Sequence, residues 1–220
     1  MAQPDQVNGT EGYVAYFDIL GYREMTNGGN FEPVIAALKQ VKSDTLRDQK
    51  KLHACQIRMF ADSVIVFCTN GDAAFVDFAV YARHLFTKMF KKGMPMRGAI
   101  AKGTFFFESE LYAGRPINEA VEYANDLEFA GCVLTPSAED LCLGPHFEIE
   151  DPVYAELDVP LKSKGRQKMY ILKHDLPIDR DYVRKAFQAH GKNIPPSVMP
   201  KFNNTIEVLK KTKNTTPLPK

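Results

Sequence analysis

Residues 55–68, CQIRMFADSVIVFC, contain two short apolar runs separated by FADS. This pattern predicts two strands joined by a tight hairpin, with Asp62 at its turn. Another apolar run, residues 12–20, is rich in Tyr, Val, Phe, Ile and Leu and predicts a buried strand. It carries one acid, Asp18, near its end. A carboxylate in apolar surroundings is costly unless it is paired, hydrogen-bonded or bound to a cation.

Further patterns surround these strands on both sides. Helical spacing over residues 30–49 and 72–92 predicts two helices, and the aromatic stripe of the second is expected to be core. Residues 96–107, MRGAIAKGTFFF, predict a pair of strands with a turn near Gly103. The remaining predictions are a helix over residues 116–128 with Pro116 in its first turn, a strand and short helix over 131–143, and a strand over 168–174.

The predicted order is β-α-β-β-α-β followed by a further α/β unit, which indicates an α+β fold. Its opening is the ferredoxin-like split arrangement, an antiparallel sheet with helices on one face. Residues 1–11 are polar and are expected to be disordered, and residues 12–174 are expected to form one domain. Residues 175–220 are rich in Pro and Lys, and we expect a C-terminal extension with one or two short helices and a frayed end.

The composition is that of an ordinary globular protein. Of the 220 residues, 45% are hydrophobic and 25% charged, and the formal net charge of +1 gives no global field for nucleic acid or anionic lipid. The four cysteines lack metal-ligand spacing and are expected to be free thiols in a reducing compartment. Neither a signal core nor a membrane span is evident. We therefore expect a cytoplasmic protein without direct nucleic-acid or membrane binding.

Asp18 and Asp62 are expected to lie side by side, because the first strand and the hairpin are central neighbours in this fold. Two close carboxylates repel each other unless they share a cation, and Mg²⁺ or Mn²⁺ suits such ligands. Two ions about 3.5–4 Å apart would clamp a phosphoryl displacement, with the Ile19 carbonyl as a further ligand. A turn before a helix would offer N–H groups to phosphates at Gly21, Tyr22 and Arg23. The alternative is a pair of ordinary surface acids.

Six segments resemble, in order, those of class III nucleotidyl cyclase domains. The first two, YFDILGYREM and RMFADSVIVF, look like that family's two metal-binding segments. The others are MRGAIAKGTFF, YAGRPINEAVEYAN, GCVLTPSA and VPLKSKGRQKMYIL. The resemblance covers roughly residues 12–173, so residues 12–174 are identified as a nucleotidyl cyclase domain.

The resemblance implies a homodimer with active sites at the interface between protomers. One protomer would hold two divalent cations, Mn²⁺ or Mg²⁺, through Asp18, Asp62 and the Ile19 carbonyl, and the triphosphate through residues 21–23. The second protomer would supply Asn118, which orients the ribose, and Lys164, which meets the terminal phosphates. The implied reaction is attack of the ribose 3′-hydroxyl on the α-phosphate with release of pyrophosphate, the chemistry of a phosphorus–oxygen lyase.

The chain departs from the family pattern at several positions. The family usually places an arginine one helical turn after the asparagine, but Glu122 stands there, so another cation would have to replace it. The candidates are Arg97, Arg115 and Arg23, of which we favour Arg97 as a catalytic residue. Gln56 and Leu111 occupy the adenine-reading positions, and Arg58 the guanine-reading one. The usual purine contacts are therefore not expected.

The segments MRGAIAKG and YAGRPINEA resemble the pyrimidine nucleotide cyclases of the Pycsar antiphage system. This resemblance implies UTP or CTP as substrate, cyclic UMP or cyclic CMP as product, and a separately encoded effector that responds to the cyclic nucleotide. We favour UTP. The alternatives are an adenylate cyclase and a non-catalytic nucleotide-binding homologue. A polymerase-palm or diguanylate cyclase relative is disfavoured, because the hairpin reads FADS and not Gly-Gly-acid-acid-Phe.

Overall fold

The computed structural model describes residues 9–27, 31–49, 55–69, 75–109, 111–140, 153–188, 193–194 and 196–214. The strands are β1 (Thr10–Ile19), β2 (Cys55–Phe60), β3 (Ser63–Cys68), β4 (Met96–Glu108), β5 (Leu111–Gly114), β6 (Gly131–Leu134), β7 (Tyr154–Leu161) and β8 (Gly165–Leu172). The helices are α1 (Tyr22–Thr26), α2 (Glu32–Gln49), α3 (Phe75–Lys91), α4 (Arg115–Asp126), α5 (Pro136–Glu139), α6 (Arg180–Phe187) and α7 (Met199–Asn214).

The described strands form one sheet in the order β2-β3-β1-β4-β6-β8-β7, with β5 paired to β4. The first four strands in this order have the ferredoxin-like arrangement, which confirms the predicted fold class. The hairpin of β2 and β3 and the buried strand β1 also lie where the sequence predicts them. One difference is that β4 and β6 pair in parallel, so the sheet is mixed and not wholly antiparallel.

Helices cover both faces of the sheet, so the prediction of helices on one face is wrong. Side chains of a strand alternate between faces, so Tyr13, Ala15 and Phe17 of β1 join the core beneath α2 and α3. Val14 and Tyr16 join a second core beneath α4. The aromatic stripe of α3 is buried in the first core, which confirms its structural role. Because β1 is buried on both faces, it reads as a continuous apolar run.

The turn predicted near Gly103 is wrong. Strand β4 continues through this position and pairs with β1 from Thr10 opposite Phe105 to Ile19 opposite Met96. Gly103 stands opposite Gly12 in this pairing. A Cβ atom added at Gly12 would lie only 2.1 Å from the carbonyl oxygen of Cys68. Glycine is therefore required at position 12 for close packing between strands. Strands β5 and β7 were not among the predicted elements.

The C-terminal region contains the predicted helices, α6 and α7. Helix α7 packs on the domain through buried Phe202, Ile206 and Leu209.

Residues 1–8 of the predicted disordered N-terminus lie outside the described residues, while Thr10 and Glu11 belong to β1. Cys55, Cys68 and Cys132 are buried and form no disulfide, and Cys142 lies outside the described residues. No described helix is long and apolar enough to cross a membrane.

Candidate active site

Asp18 and Asp62 come together at the end of β1. Asp18 stands opposite Ser63 of β3 and Arg97 of β4. The turn of the β2–β3 hairpin is tied to β1, because the Ile19 N–H donates to the Asp62 carbonyl oxygen at 2.8 Å. Burial raises the pKa of Asp18, and the negative charge of Asp62 adds to that rise. The structure thus places the two acids side by side, as the fold argument predicts.

The two carboxylates line a cavity of about 460 Å³ between β1, α1, α4 and the C-terminal region. The predicted turn residues Gly21, Tyr22 and Arg23 also line it. Gly21 has a φ of 77°, a left-handed conformation that favours glycine, and its carbonyl oxygen accepts from the Met25 N–H at 3.0 Å. The other residues that line this cavity are Tyr16, Ile19, Leu20, Glu24, Arg97, Asn125, Lys162, Ser197, Val198 and Lys201.

Arg97 binds directly to Asp18. Its Nε lies 2.7 Å from Asp18 Oδ2, and the two side chains are only 13% and 14% exposed, respectively. The remaining guanidinium nitrogens donate to the main-chain oxygen of Asn125 at 2.8 Å and to its Oδ1 at 3.0 Å. Burial raises the pKa of Asp18, and the charge of Arg97 opposes that rise. Arg97 therefore links the end of β1 to the end of α4 and offsets part of the cost of burying Asp18.

Two hydroxyl groups support Asp62. The Ser63 hydroxyl lies 3.5 Å from Asp62 Oδ1 and 3.0 Å from the Tyr16 hydroxyl. Sequence reasoning did not assign a role to Tyr16 or Ser63. The only signal for them was position, since Tyr16 shares the face of Asp18 and Ser63 follows the hairpin acid.

Lys162 is a further cation that lines the cavity, and sequence reasoning missed it. Its ammonium group donates to the Asn125 carbonyl oxygen, which Arg97 also reaches. Burial, then the charges of Arg97 and Lys201, lower the pKa of Lys162. Lys162 is the first lysine of KSKG, whereas the resemblance was carried over to the second, Lys164. The motif itself was the available signal.

Lys164 and α4 border a different cavity, of about 490 Å³. Asn118, Glu122 and Asn125 are exposed on one face of α4, one helical turn apart. Asn125 lines both cavities, whereas Asn118 lines neither. The second cavity is lined by Glu122, Tyr123, Asn125, Asp126, Leu161, Ser163, Lys164 and Gln167. Within one chain, Asn118 and Lys164 are thus not brought to the carboxylates.

The three predicted base-reading residues gather near the β4–β5 turn. Arg58 donates to Gln56 Oε1 and to the Ser109 carbonyl oxygen, each at 3.3 Å, and its guanidinium lies 5.0 Å from the centre of the Phe107 ring. Leu111 begins β5 and is 66% exposed. Gln56, Arg58 and Leu111 lie outside the lining of both cavities.

The carboxylate pair fits the divalent cations that the sequence implies. Asp18 and Asp62 present hard oxygen donors. A shared cation would offset the burial of Asp18, which is the main cause of its raised pKa, and its repulsion by Asp62. Among the described residues, no group of three or more His, Cys, Asp or Glu side chains is placed to hold a metal ion. The remaining ligands would therefore be carbonyl, phosphate or water oxygens, as Mg²⁺ commonly uses.

The fold is similar to that of solved cyclase catalytic domains. The catalytic core of a rhodopsin-guanylyl cyclase with converted specificity, in complex with ATPαS, has a TM-score of 0.56 at 15% identity, covering 76% of this chain and 97% of that one. The guanylate cyclase domain of RhGC from Catenaria anguillulae in complex with GTP has a TM-score of 0.55 at 15% identity, covering 75% and 97%. The adenylyl cyclase CyaB from P. aeruginosa has a TM-score of 0.51 at 18% identity, covering 77% and 98%.

No family model and no curated protein matches the sequence. The structural likeness nevertheless extends over nearly the whole of each of these cyclase domains. The chain therefore has the class III cyclase fold.

Proposed function

We propose that this protein is a metal-dependent nucleotidyl cyclase that converts UTP to 3′,5′-cyclic UMP and pyrophosphate. The observation that carries the proposal is the pair Asp18 and Asp62, which line one cavity with Arg97 and Lys162. The cavity lies on a fold shared with adenylyl and guanylyl cyclase domains. Cyclisation of a nucleoside triphosphate requires carboxylates that bind cations, and next to them side chains that bind phosphates.

Each part of the cavity would take one part of the reaction. When bound by Asp18 and Asp62, with the Ile19 carbonyl, two divalent cations would lower the pKa of the ribose 3′-hydroxyl and neutralise the phosphoryl oxygens. Arg97 fixes the orientation of Asp18 through their 2.7 Å ion pair. The guanidinium of Arg97 and the ammonium of Lys162 would also stabilise the charge that develops on the leaving pyrophosphate.

A second protomer would complete the site. The exposed face of α4 carries Asn118 and Glu122, and Glu122 lines a separate cavity together with Lys164. In a homodimer with two-fold symmetry, each α4 face would meet the carboxylates of the other protomer. Asn118 would orient the ribose, and Lys164 would contact the terminal phosphates.

The assignment of a pyrimidine base rests on the positions that read purines in the family. Arg58 donates to Gln56 Oε1 and to a main-chain oxygen, and Leu111 has no polar group to offer a purine edge. The segments MRGAIAKG and YAGRPINEA support the pyrimidine assignment, with UTP favoured over CTP. The product would then serve as a second messenger in antiphage defence and act on a separate effector.

The proposal is tested by incubating the full-length protein with each of the four nucleoside triphosphates and Mn²⁺ and identifying the products by mass spectrometry. We expect cyclic UMP and pyrophosphate from UTP, and loss of at least about 100-fold in rate in Asp62→Ala. Asp158→Ala, at an exposed position of β7, is the matched control and is expected to keep the activity. Formation of cyclic AMP alone would contradict the pyrimidine assignment.

A second candidate is a nucleotide-binding protein without turnover. Glu122 favours it, because it stands on the α4 face with Asn118 where the family has an arginine, and a carboxylate cannot stabilise developing negative charge. This candidate predicts binding of a nucleoside triphosphate with no product of any kind. The product assay above separates the two functions directly.

A further inference from the structure

We propose that helix α7 belongs to the nucleotide site and that Lys201 binds the terminal phosphates of the substrate. This inference deepens the proposed function and rests on it. Lys201 lines the cavity that contains Asp18 and Asp62, together with Ser197 and Val198 just before α7. The cavity wall therefore includes residues that follow the last strand of the sheet.

Helix α7 holds Lys201 in a defined position. The Ala130 N–H donates to the Thr205 hydroxyl at 2.8 Å, and Asn204 Nδ2 donates to the Glu128 carbonyl oxygen at 2.8 Å. Glu207 pairs with Arg166 at 2.6 Å. These bonds join one side of the helix to the segment that precedes β6 and to β8. Lys201 is thus attached to the domain and is not part of a solvated tail.

The surroundings of Lys201 are unusual for a lysine. Its side chain is 16% exposed, and its ammonium group lies 3.2 Å from Oε1 of Glu128, which is 23% exposed. Lysine is rarely buried to this extent without a partner, so Glu128 offsets part of its desolvation. Glu128 does not line the cavity, whereas Lys201 does. Glu128 is therefore a positioning residue that holds the ammonium group of Lys201 at the cavity wall.

Four cations from separate elements line this cavity. Arg23 comes from α1, Arg97 from β4, Lys162 from the β7–β8 turn and Lys201 from α7, and the pKa of Lys162 is lowered by burial first and then by the charges of Arg97 and Lys201. Collecting like charges costs free energy unless an anion of high charge is bound among them. Asp18 pairs with Arg97 and Glu128 pairs with Lys201. Because Glu128 lies outside the cavity lining, Lys201 still lines, with Lys162, the space that a ligand would fill. The triphosphate of the substrate has the required charge and length.

The inference is tested by pyrophosphate binding, which needs no turnover. Isothermal titration calorimetry of the full-length protein with Mg²⁺ and pyrophosphate is expected to give a Kd raised about ten-fold or more in Lys201→Met. The longer cation in Lys201→Arg should recover most of the affinity. Lys210→Met, at an exposed position of the same helix, is the matched control and should bind as the wild type does.

The outcomes separate this inference from the proposed function. Equal pyrophosphate affinity of Lys201→Met and the wild type overturns the inference, as does a wild type that binds no pyrophosphate. A protein that binds pyrophosphate through Lys201 but cyclises no nucleotide keeps the inference and overturns the proposed function. Thermal melting of each variant checks folding, and a loss of affinity that Lys201→Arg does not restore, in a folded variant, contradicts phosphate binding by Lys201.

Discussion

At the scale of single residues, Asp18 is the most constrained group of the site. It ends a strand whose residues Gly12–Phe17 are all buried, and its own side chain is 14% exposed. Burial alone would favour the protonated form, and indeed raises its pKa. The ion pair with Arg97 keeps the carboxylate in position without a metal ion. Arg97 thus has two roles, one in the stability of the folded chain and one in the proposed chemistry.

Replacing Arg97 tests this dual role. In Arg97→Met the carboxylate of Asp18 loses its partner while remaining mostly buried, so the free energy of unfolding is expected to fall by about 1–3 kcal/mol. Added Mg²⁺ should restore more stability to this variant than to the wild type, because a cation then replaces the lost charge. Thermal melting with and without Mg²⁺ measures both effects. The control is Arg115→Met, at an exposed position of α4; an equal response of both variants to Mg²⁺ would contradict the interpretation.

At the scale of elements, the region after β8 is held against α3 by an aromatic contact. The His174 ring stacks on Phe86 with centroids 4.0 Å apart, and neither ring nitrogen has a hydrogen-bond partner among the described residues. Burial, with the nearby charge of Arg83, lowers the pKa of His174 to about 3. The contact therefore requires the neutral imidazole. Because α6 and α7 follow this point, acid is expected to weaken the packing of the elements that carry Lys201.

Acid sensitivity follows from the same histidine. The unfolded chain binds a proton at His174 near pH 6.5 and the folded chain only near pH 3, so stability is lost as the pH falls between these values, by up to about 1.4 kcal/mol per pH unit. Urea unfolding of His174→Leu between about pH 4 and 6.5 should show a shallower loss than the wild type. His84→Leu, an exposed position of α3, serves as the control, and parallel profiles for wild type and His174→Leu would refute the prediction.

At the scale of the whole molecule, one chain keeps the proposed site residues apart. The carboxylates line one cavity and Lys164 lines another, whereas Asn118 lines neither. In the proposed homodimer, a second copy would bring Asn118 and Lys164 to the carboxylates. The proposed catalytic unit is therefore a dimer, and its two sites would be built from complementary halves of different protomers.

Mixing two inactive variants tests this arrangement. Asp18→Ala and Asn118→Ala should each be inactive alone. Random mixing should recover roughly a quarter of the wild-type activity, because half of the dimers are mixed and one of their two sites is intact. Product formation is measured after the variants are denatured together and refolded. Mixed dimers, verified by two different affinity tags, that remain inactive would contradict a shared site.

Part of the site was predictable because it depends on local pattern and on a fold of known strand order. Alternation and apolar content located β1 and the hairpin, and the ferredoxin-like order then brought Asp18 next to Asp62. The prediction of a turn at Gly103 was wrong, because Gly103 faces Gly12 on a neighbouring strand. A single sequence does not distinguish such a glycine from one that a turn requires. Sequence reasoning missed Lys162 because the motif KSKG contains two lysines. Only the conformation of the turn decides which of them reaches Asn125.

The sequence by itself determined the succession of elements from β1 to α3, the acid near the end of β1 and the acid at the hairpin turn. These features depend on neighbours along the chain, whose periodicity and turn residues can be read directly. Only the tertiary structure decided that Arg97, Lys162 and Lys201 share a cavity with the two acids. They come from a central strand, a distant turn and the C-terminal helix. Their meeting depends on how α7 packs against the domain, which the spacing of apolar residues does not encode.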